Sequence, residues 1–277
     1  MYSYRPALYL CDLDGTLLTS KAELREDLCI RINQLLAGGT AISFVTGRDH
    51  ESAHEILAGV KKVYPYAVNN GSLIVSPSSQ QIMQIWPISS TDLSAVLDIC
   101  KGQQFVKITG YADGAIIPIP FSSIEGLHDE GHLVISITLK DEREWINSLS
   151  RHLLLLPGIC AEIYDDPYNN DWGILDITSA SATKRAAVEY LAQYCGYNYS
   201  DVIAFGDSPN DIPMFKTVGV SCYVGSEIIP EVFSCCNHHL FYDEGYSVID
   251  FIEARERIRK GGKPNGLSNQ WDETRRG

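Results

Sequence analysis

Ala7 to Cys11 (ALYLC) is an almost continuous apolar run that breaks into the polar Asp12-Leu13-Asp14-Gly15. A run of that kind predicts a short strand buried on both faces. From Glu23 to Leu36 the spacing turns helical: Leu24, Leu28, Ile32, Leu35 and Leu36 share one side, and Gly38-Gly39 ends the run. Ala41 to Val45 predicts a second buried strand, leading into Thr46-Gly47-Arg48. A further helix follows with a stripe of Ala53, Ile56, Leu57 and Val60, and then comes an extended Tyr66–Val68 before the turn signal Asn69-Asn70-Gly71. Strand, helix, strand, helix, strand implies a parallel sheet with right-handed crossovers.

After about Pro77 the rhythm changes. Strands are expected at QIMQIW, FVKITGY, GAIIPI, HLVISITL, ICAEIY and WGILDIT, with helices at TDLSAVLDIC and EREWINSLSRHL. Hairpin-like pairs predominate, as in an α+β module with an antiparallel sheet. The first rhythm resumes with a helix over Thr183–Cys195, a buried strand over Val202–Phe205, a short helix over Asp211–Thr217 and the strand VGVSCYV. The expected architecture is a doubly wound, Rossmann-like α/β core over 1–79 and 180–253. It is interrupted by an α+β insertion over 80–179 and followed by a polar, partly basic tail over 254–277.

Composition narrows the function classes. A net charge of −13 weighs against nucleic acid or an anionic membrane as partner, since both are polyanions. No apolar run approaches the ~18 residues of a membrane span, and the first residues lack a basic head followed by an apolar block, so a cytoplasmic protein is the expectation. The eight cysteines include no C-x-x-C and lie mostly in apolar stretches, as small buried hydrophobes do.

Open α/β sheets place ligands at the carboxyl ends of their strands. Three such ends here deliver Asp12 and Asp14, then Thr46-Gly47-Arg48, then Gly206-Asp207-Ser208-Pro209-Asn210-Asp211. Four carboxylates so gathered repel one another, which a divalent cation would resolve. Oxygen donors without His or Cys favour Mg²⁺ over zinc. Lys184 opens a helix, where the macrodipole disfavours a cation, and an anion in front of it would offset that cost.

D-x-D-G-T-L, T-G-R, a helix-leading lysine and G-D-S-x-N-D, in this order, resemble the haloacid-dehalogenase superfamily of phosphohydrolases. The long insertion resembles its Cof-type sugar-phosphate phosphatase branch with a type IIB cap. The resemblance covers about residues 7 to 252. It implies a Mg²⁺-dependent hydrolase of a small phosphorylated metabolite, with the cap acting as a lid that sets specificity. By the same resemblance Asp12 is the nucleophile that forms an aspartyl-phosphate, and Asp14 the acid and base. Thr46, Gly47 and Lys184 hold the phosphoryl group, and Asn210 donates to it or orders its own loop. Asp207 binds Mg²⁺ with Asp12 and the Asp14 carbonyl, supported by Asp211. Asn70 either faces the substrate or simply makes an Asn-Gly turn. Arg48 either meets the substrate or pairs with a local carboxylate. The usual Asn-Ala after the last strand is replaced by Cys222-Tyr223-Val224-Gly225-Ser226.

Rival readings remain in view. A phosphotransferase or sugar phosphomutase could use the same scaffold, and a non-catalytic relative would be expected to lack one of Asp12, Asp14, Lys184 or Asp207. His50-Glu51-Ser52-Ala53-His54 matches the H-E-x-x-H pattern of zinc hydrolases. Metzincin spacing, however, would put a glycine and a histidine where Leu57 and Val60 stand, and no glutamate occurs between Glu55 and Glu125. Ser234 to His239 (SCCNHH) has metal-binding residue types without a zinc-site spacing and reads as structural.

Overall fold

The computed structural model describes residues 6–103, 105–120, 132–166 and 169–262. Its elements, in chain order, are β1 (Leu8–Cys11), α1 (Glu26–Ala37), β2 (Ala41–Phe44), α2 (His50–Ile56), β3 (Tyr66–Val68), β4 (Leu73–Val75) and β5 (Ile82–Ile85). Then follow α3 (Ser90–Ile99), β6 (Phe105–Ala112), β7 (Ala115–Pro118), β8 (Leu133–Glu142), α4 (Arg143–Leu153), β9 (Ile159–Asp165) and β10 (Trp172–Ser179). The chain closes with α5 (Lys184–Cys195), β11 (Val202–Gly206), α6 (Ile212–Phe215), β12 (Val220–Val224), α7 (Pro230–Phe233), β13 (His238–Leu240) and α8 (Tyr246–Arg259). Among the described residues no helix is long and apolar enough to cross a membrane.

Two compact units emerge. Of the described residues, the first comprises those up to Gly71, Val75–Gln80 and those from Lys184; the second comprises Ser72–Ile74 and those within Gln81–Thr183. In the first, five parallel strands lie in the order β13-β12-β11-β1-β2. All four residues of β1 and all four of β2 are buried, which is why β1 reads as an unbroken apolar run and β2 as one interrupted only by Ser43, whose hydroxyl donates to Pro65 O. The chain leaves β1 toward β2 and later returns to β11 on the other side. Right-handed crossovers in opposite directions put their helices on opposite faces of the sheet, and a crevice opens at the carboxyl end of β1. α1 packs with α8, and α5 with α6.

The second unit is a five-stranded antiparallel sheet in the order β7-β6-β8-β10-β9. Its apolar face, with Ile108, Ile137, Leu175 and Ile177, is covered by Leu93 and Val96 of α3 and by Ile146, Leu149 and Leu153 of α4.

Three details differ from expectation. β13, at the edge of the parallel sheet, falls in the segment SCCNHHL, whose mixture of Cys, Asn and His conceals a strand. α2 is only seven residues long; Leu57 and Val60 are buried from the turns that follow it. The polar tail read from 254 onward also needs revision, because α8 continues to Arg259. Glu256 is buried there, accepting Tyr9 Oη at 3.0 Å and Arg259 Nη2 at 2.7 Å. Burial beside that carboxylate raises the Tyr9 phenol above its usual range. Residues 263–277 of that tail lie outside the described residues.

Candidate active site

β1 ends at Cys11 and hands over Asp12, whose amide still donates to Phe205 O of β11 at 3.0 Å. This bond keeps Asp12 in register with the sheet and turns its side chain into the crevice, where it is 5% exposed. Two residues later the chain must turn. Gly15 has φ +68°, and a Cβ there would lie 2.1 Å from Asp207 Oδ2. Only glycine permits that approach between the β1 loop and the β11 loop. Leu17 N and Leu18 N close the turn onto Leu13 O at 2.8 and 3.0 Å. The Thr16 hydroxyl is buried and has no hydrogen-bond partner among the described residues, so it does not bond the backbone around the loop as a turn threonine often does.

β11 ends at Gly206 and delivers Asp207. The following turn is organised by Asp211: its Oδ2 accepts the amides of Asp207 at 3.0 Å and Ser208 at 3.1 Å. Its Oδ1 accepts Lys184 Nζ at 2.7 Å, and the same ammonium lies 3.0 Å from Asp12 Oδ1. Lys184, the first residue of α5, is 2% exposed. Its unfavourable place at the helix N-terminus is offset by two carboxylates at hydrogen-bond distance.

Charge in this cluster is unbalanced. Asp12, Asp207 and Asp211 each offer an oxygen within 4.8 Å of the others, against a single lysine. Burial raises the Asp12 carboxyl well above its usual range; Lys184 opposes this, and Asp211 and Asp207 add to it. Burial, then Asp211, pushes Asp207 up to about 7. Burial alone would lower the Lys184 ammonium, but Asp12 and Asp211 outweigh it and hold the group above its ordinary value. Buried carboxylates facing one another, with only oxygen donors, fit a hard divalent cation such as Mg²⁺.

The remaining candidates fall beside this cluster. Thr46, fully buried, follows β2; its amide donates to Ala67 O at 3.1 Å and its Oγ1 accepts the Arg48 amide at 3.1 Å. Asn70, at φ 54°, places Oδ1 2.9 Å from where a Gly47 Cβ would be, and accepts Asn210 Nδ2 at 3.2 Å. Asn210 Oδ1 in turn accepts Ser208 Oγ at 2.7 Å. The structure thus brings the Asn70 turn, the Thr-Gly-Arg loop and the β11 loop together. The Asp14 carboxylate stands apart from the acidic cluster: half-exposed, it is paired with Arg48. Arg48 makes a local pair with Asp14, one of the two readings left open for it. Ser52 and Ser208, which hold Arg48 and Asn210, stand inside quoted motifs but had no role in the sequence reading, since a serine carries no signal until its partner is known.

The zinc motif does not assemble a site. The rings of His50 and His54 lie parallel with centroids 6.3 Å apart, and among the described residues no third His, Cys, Asp or Glu joins them. In the SCCNHH segment Cys235 and Cys236 donate to Glu231 O and Val232 O, and His239 Nε2 lies 2.9 Å from Gly225 O.

Comparison with known proteins places this geometry. A family model described as haloacid dehalogenase-like hydrolase matches residues 9–252. The 5-amino-6-(5-phospho-D-ribitylamino)uracil phosphatase YitU of Bacillus subtilis is 23% identical, over 81% of this chain and 88% of its own. An HMP-PP phosphatase of Serratia proteamaculans is 22% identical, over 81% and 85%. Among solved structures, TM0651 from Thermotoga maritima superposes with a TM-score of 0.70 at 17% identity, covering 90% of this chain and 97% of its own. BT1666 from Bacteroides thetaiotaomicron gives 0.70 at 18% identity, covering 92% and 96%. At those identities the two structures show the shared fold.

Proposed function

The chain belongs to the haloacid dehalogenase-like hydrolase family as a phosphoric monoester hydrolase, and from this premise we propose that it dephosphorylates a small sugar or sugar-alcohol phosphate with Mg²⁺, through an aspartyl-phosphate on Asp12. The observation that carries the reading is Lys184, buried and shared between Asp12 and Asp211 beside Asp207. A buried ammonium against excess carboxylate is a costly arrangement for stability alone, and it suits an anion that arrives with a cation. A substrate with a phosphorylated ribityl chain, as named for the YitU relative, supports the sugar-alcohol class.

In this reading Asp12 attacks phosphorus; a bond forms from its carboxylate oxygen while the bond to the leaving oxygen breaks. Asp14 gives its proton to that oxygen, releasing the alcohol. Water then attacks the same phosphorus, its proton passes to Asp14, the bond to Asp12 breaks, and inorganic phosphate leaves. Lys184 and Thr46 hold the phosphoryl oxygens, with Gly47 leaving room beside Asn70. Asp12 and Asp207, with Asp211 behind them, would hold Mg²⁺, which supplies charge neutralisation to the phosphoryl group when bound. In this reading Asp211 organises its turn, which is supported by the protein hydrogen bonds that both of its oxygens carry.

The test is phosphate release over a panel of sugar, sugar-alcohol, nucleotide and cofactor phosphates, with and without Mg²⁺. We expect Mg²⁺-dependent free phosphate from sugar-type substrates, and none from a folded Asp12→Asn variant. Full activity in that variant would remove Asp12 as nucleophile.

A further inference from the structure

The Arg48 guanidinium grips both oxygens of Asp14, Nε to Oδ2 at 2.7 Å and Nη2 to Oδ1 at 2.6 Å. Its third nitrogen, Nη1, donates to Ser52 Oγ at 2.8 Å. A two-pronged pairing of this kind sets the plane of a carboxylate as well as its position, which a lysine cannot do. The Arg48 main chain is itself held on both sides: its amide donates to Thr46 Oγ1 at 3.1 Å and its carbonyl accepts Asn69 N at 2.7 Å. Ser52 lies in the first turn of α2, where its amide is capped by Asp49 Oδ1 at 2.9 Å. Asp14 has no such framework. It follows the strand on a glycine-hinged turn, its side chain is half-exposed, and among the described residues that side chain is hydrogen-bonded to Arg48 alone.

We propose that Arg48, braced by Ser52, is a positioning residue that does not itself bind the substrate: it fixes the plane of the Asp14 carboxyl, one oxygen keeping its Arg48 bond while the other carries the proton that goes to the leaving oxygen. The inference rests on the acid–base reading of Asp14 given above. It also gives the HESAH helix a role: its first turn carries the brace. Proton transfer to the leaving oxygen accompanies cleavage of the bond between that oxygen and phosphorus. A misplaced Asp14 should therefore matter in proportion to how badly the leaving group needs a proton.

The experiment measures kcat/KM of the Mg²⁺-loaded enzyme on p-nitrophenyl phosphate, whose leaving group departs without help, and on phenyl phosphate, whose leaving group does not. kcat/KM covers only the steps through departure of the phenol. Arg48→Ala should lose about 100-fold on phenyl phosphate but no more than about 3-fold on p-nitrophenyl phosphate, within the range general acids contribute. Added guanidinium should recover part of the loss on phenyl phosphate, and Arg48→Lys should remain impaired. In an Asp14→Asn background, Arg48→Ala should cost nothing further, because its effect runs through Asp14. Equal losses on both substrates, or a further loss in the Asp14→Asn background, would overturn the proposal by making Arg48 an independent substrate contact. Full activity of Asp14→Asn on phenyl phosphate would instead remove the acid–base reading on which it stands. If Arg48→Ala does not fold, Ser52→Ala carries the same comparison, with a smaller loss again confined to phenyl phosphate; no difference between the substrates there would likewise overturn it.

Discussion

Lys184 Nζ lies 2.7 Å from Asp211 Oδ1 in a site that excludes water from both side chains. Breaking a buried pair from one side leaves the other charge uncompensated, at a cost of about 3–5 kcal/mol. Lys184→Met should therefore lose stability by about that amount in urea unfolding with EDTA present, together with all measurable turnover. Mg²⁺ should restore part of the stability and none of the turnover. A variant as stable as the parent in EDTA would show that the three carboxylates do not depend on this ammonium.

The Gly15–Asp207 approach is equally strict. Gly15→Ala would put a methyl group 2.1 Å from Asp207 Oδ2 in a backbone region that disfavours side chains. The two loops must then separate. We expect a loss of more than about 1 kcal/mol of stability and a loss of activity far beyond what that destabilisation explains, measured below the unfolding transition. Retained activity would show that the loops tolerate separation.

Asp207 makes the site sensitive to pH. Its carboxyl is pushed up to about 7, chiefly by burial and then by Asp211. An acid whose folded value exceeds its unfolded one, about 3.9, contributes stability that is present below the unfolded value. That contribution is lost as pH rises to about 7. Above that pH a buried charge remains for a cation to compensate. In EDTA, then, this site should erode the thermal midpoint from about pH 4 to about pH 7, and Mg²⁺ should raise the midpoint more at about pH 8 than at about pH 6. Asp207→Asn should abolish the difference. Equal Mg²⁺ shifts at both pH values in the parent would count against it.

Far from the crevice, Glu256 ties α8 to the sheet through Tyr9. Glu256→Ala leaves the buried Tyr9 hydroxyl without that acceptor and frees Arg259, at a cost of about 1–3 kcal/mol. Adding Tyr9→Phe should recover part of it, because the unpaired hydroxyl is then gone. Chemical denaturation of the two variants provides the check, and an additive loss would refute the coupling.

Much of this was legible because burial leaves a mark on composition. β1 and β2 are buried on both faces, so they had to be apolar but for Ser43, whose hydroxyl donates to Pro65 O, and the sharp change to Asp12 and Thr46 marks where each strand reaches the crevice. β13 was illegible for the opposite reason: a three-residue edge strand needs little apolar surface. The tail read from 254 is helical as far as Arg259: Glu256 and Arg259 pair with each other, and paired charges look like a solvated tail in sequence.

By itself the sequence determined which chemical groups stand at the strand ends, since a doubly wound sheet can present only those residues that follow its buried runs. It also determined that they are acidic. Pairings between loops were decided only in three dimensions. Arg48 and Asp14 are 34 residues apart, and Asn70 and Asn210 are 140 apart; no local spacing encodes either distance. The direction of a long side chain such as Arg48 depends on which carboxylate the fold carries within its reach. What stands beside HESAH was likewise decided by the fold: no third ligand among the described residues, and Arg48 set against Ser52.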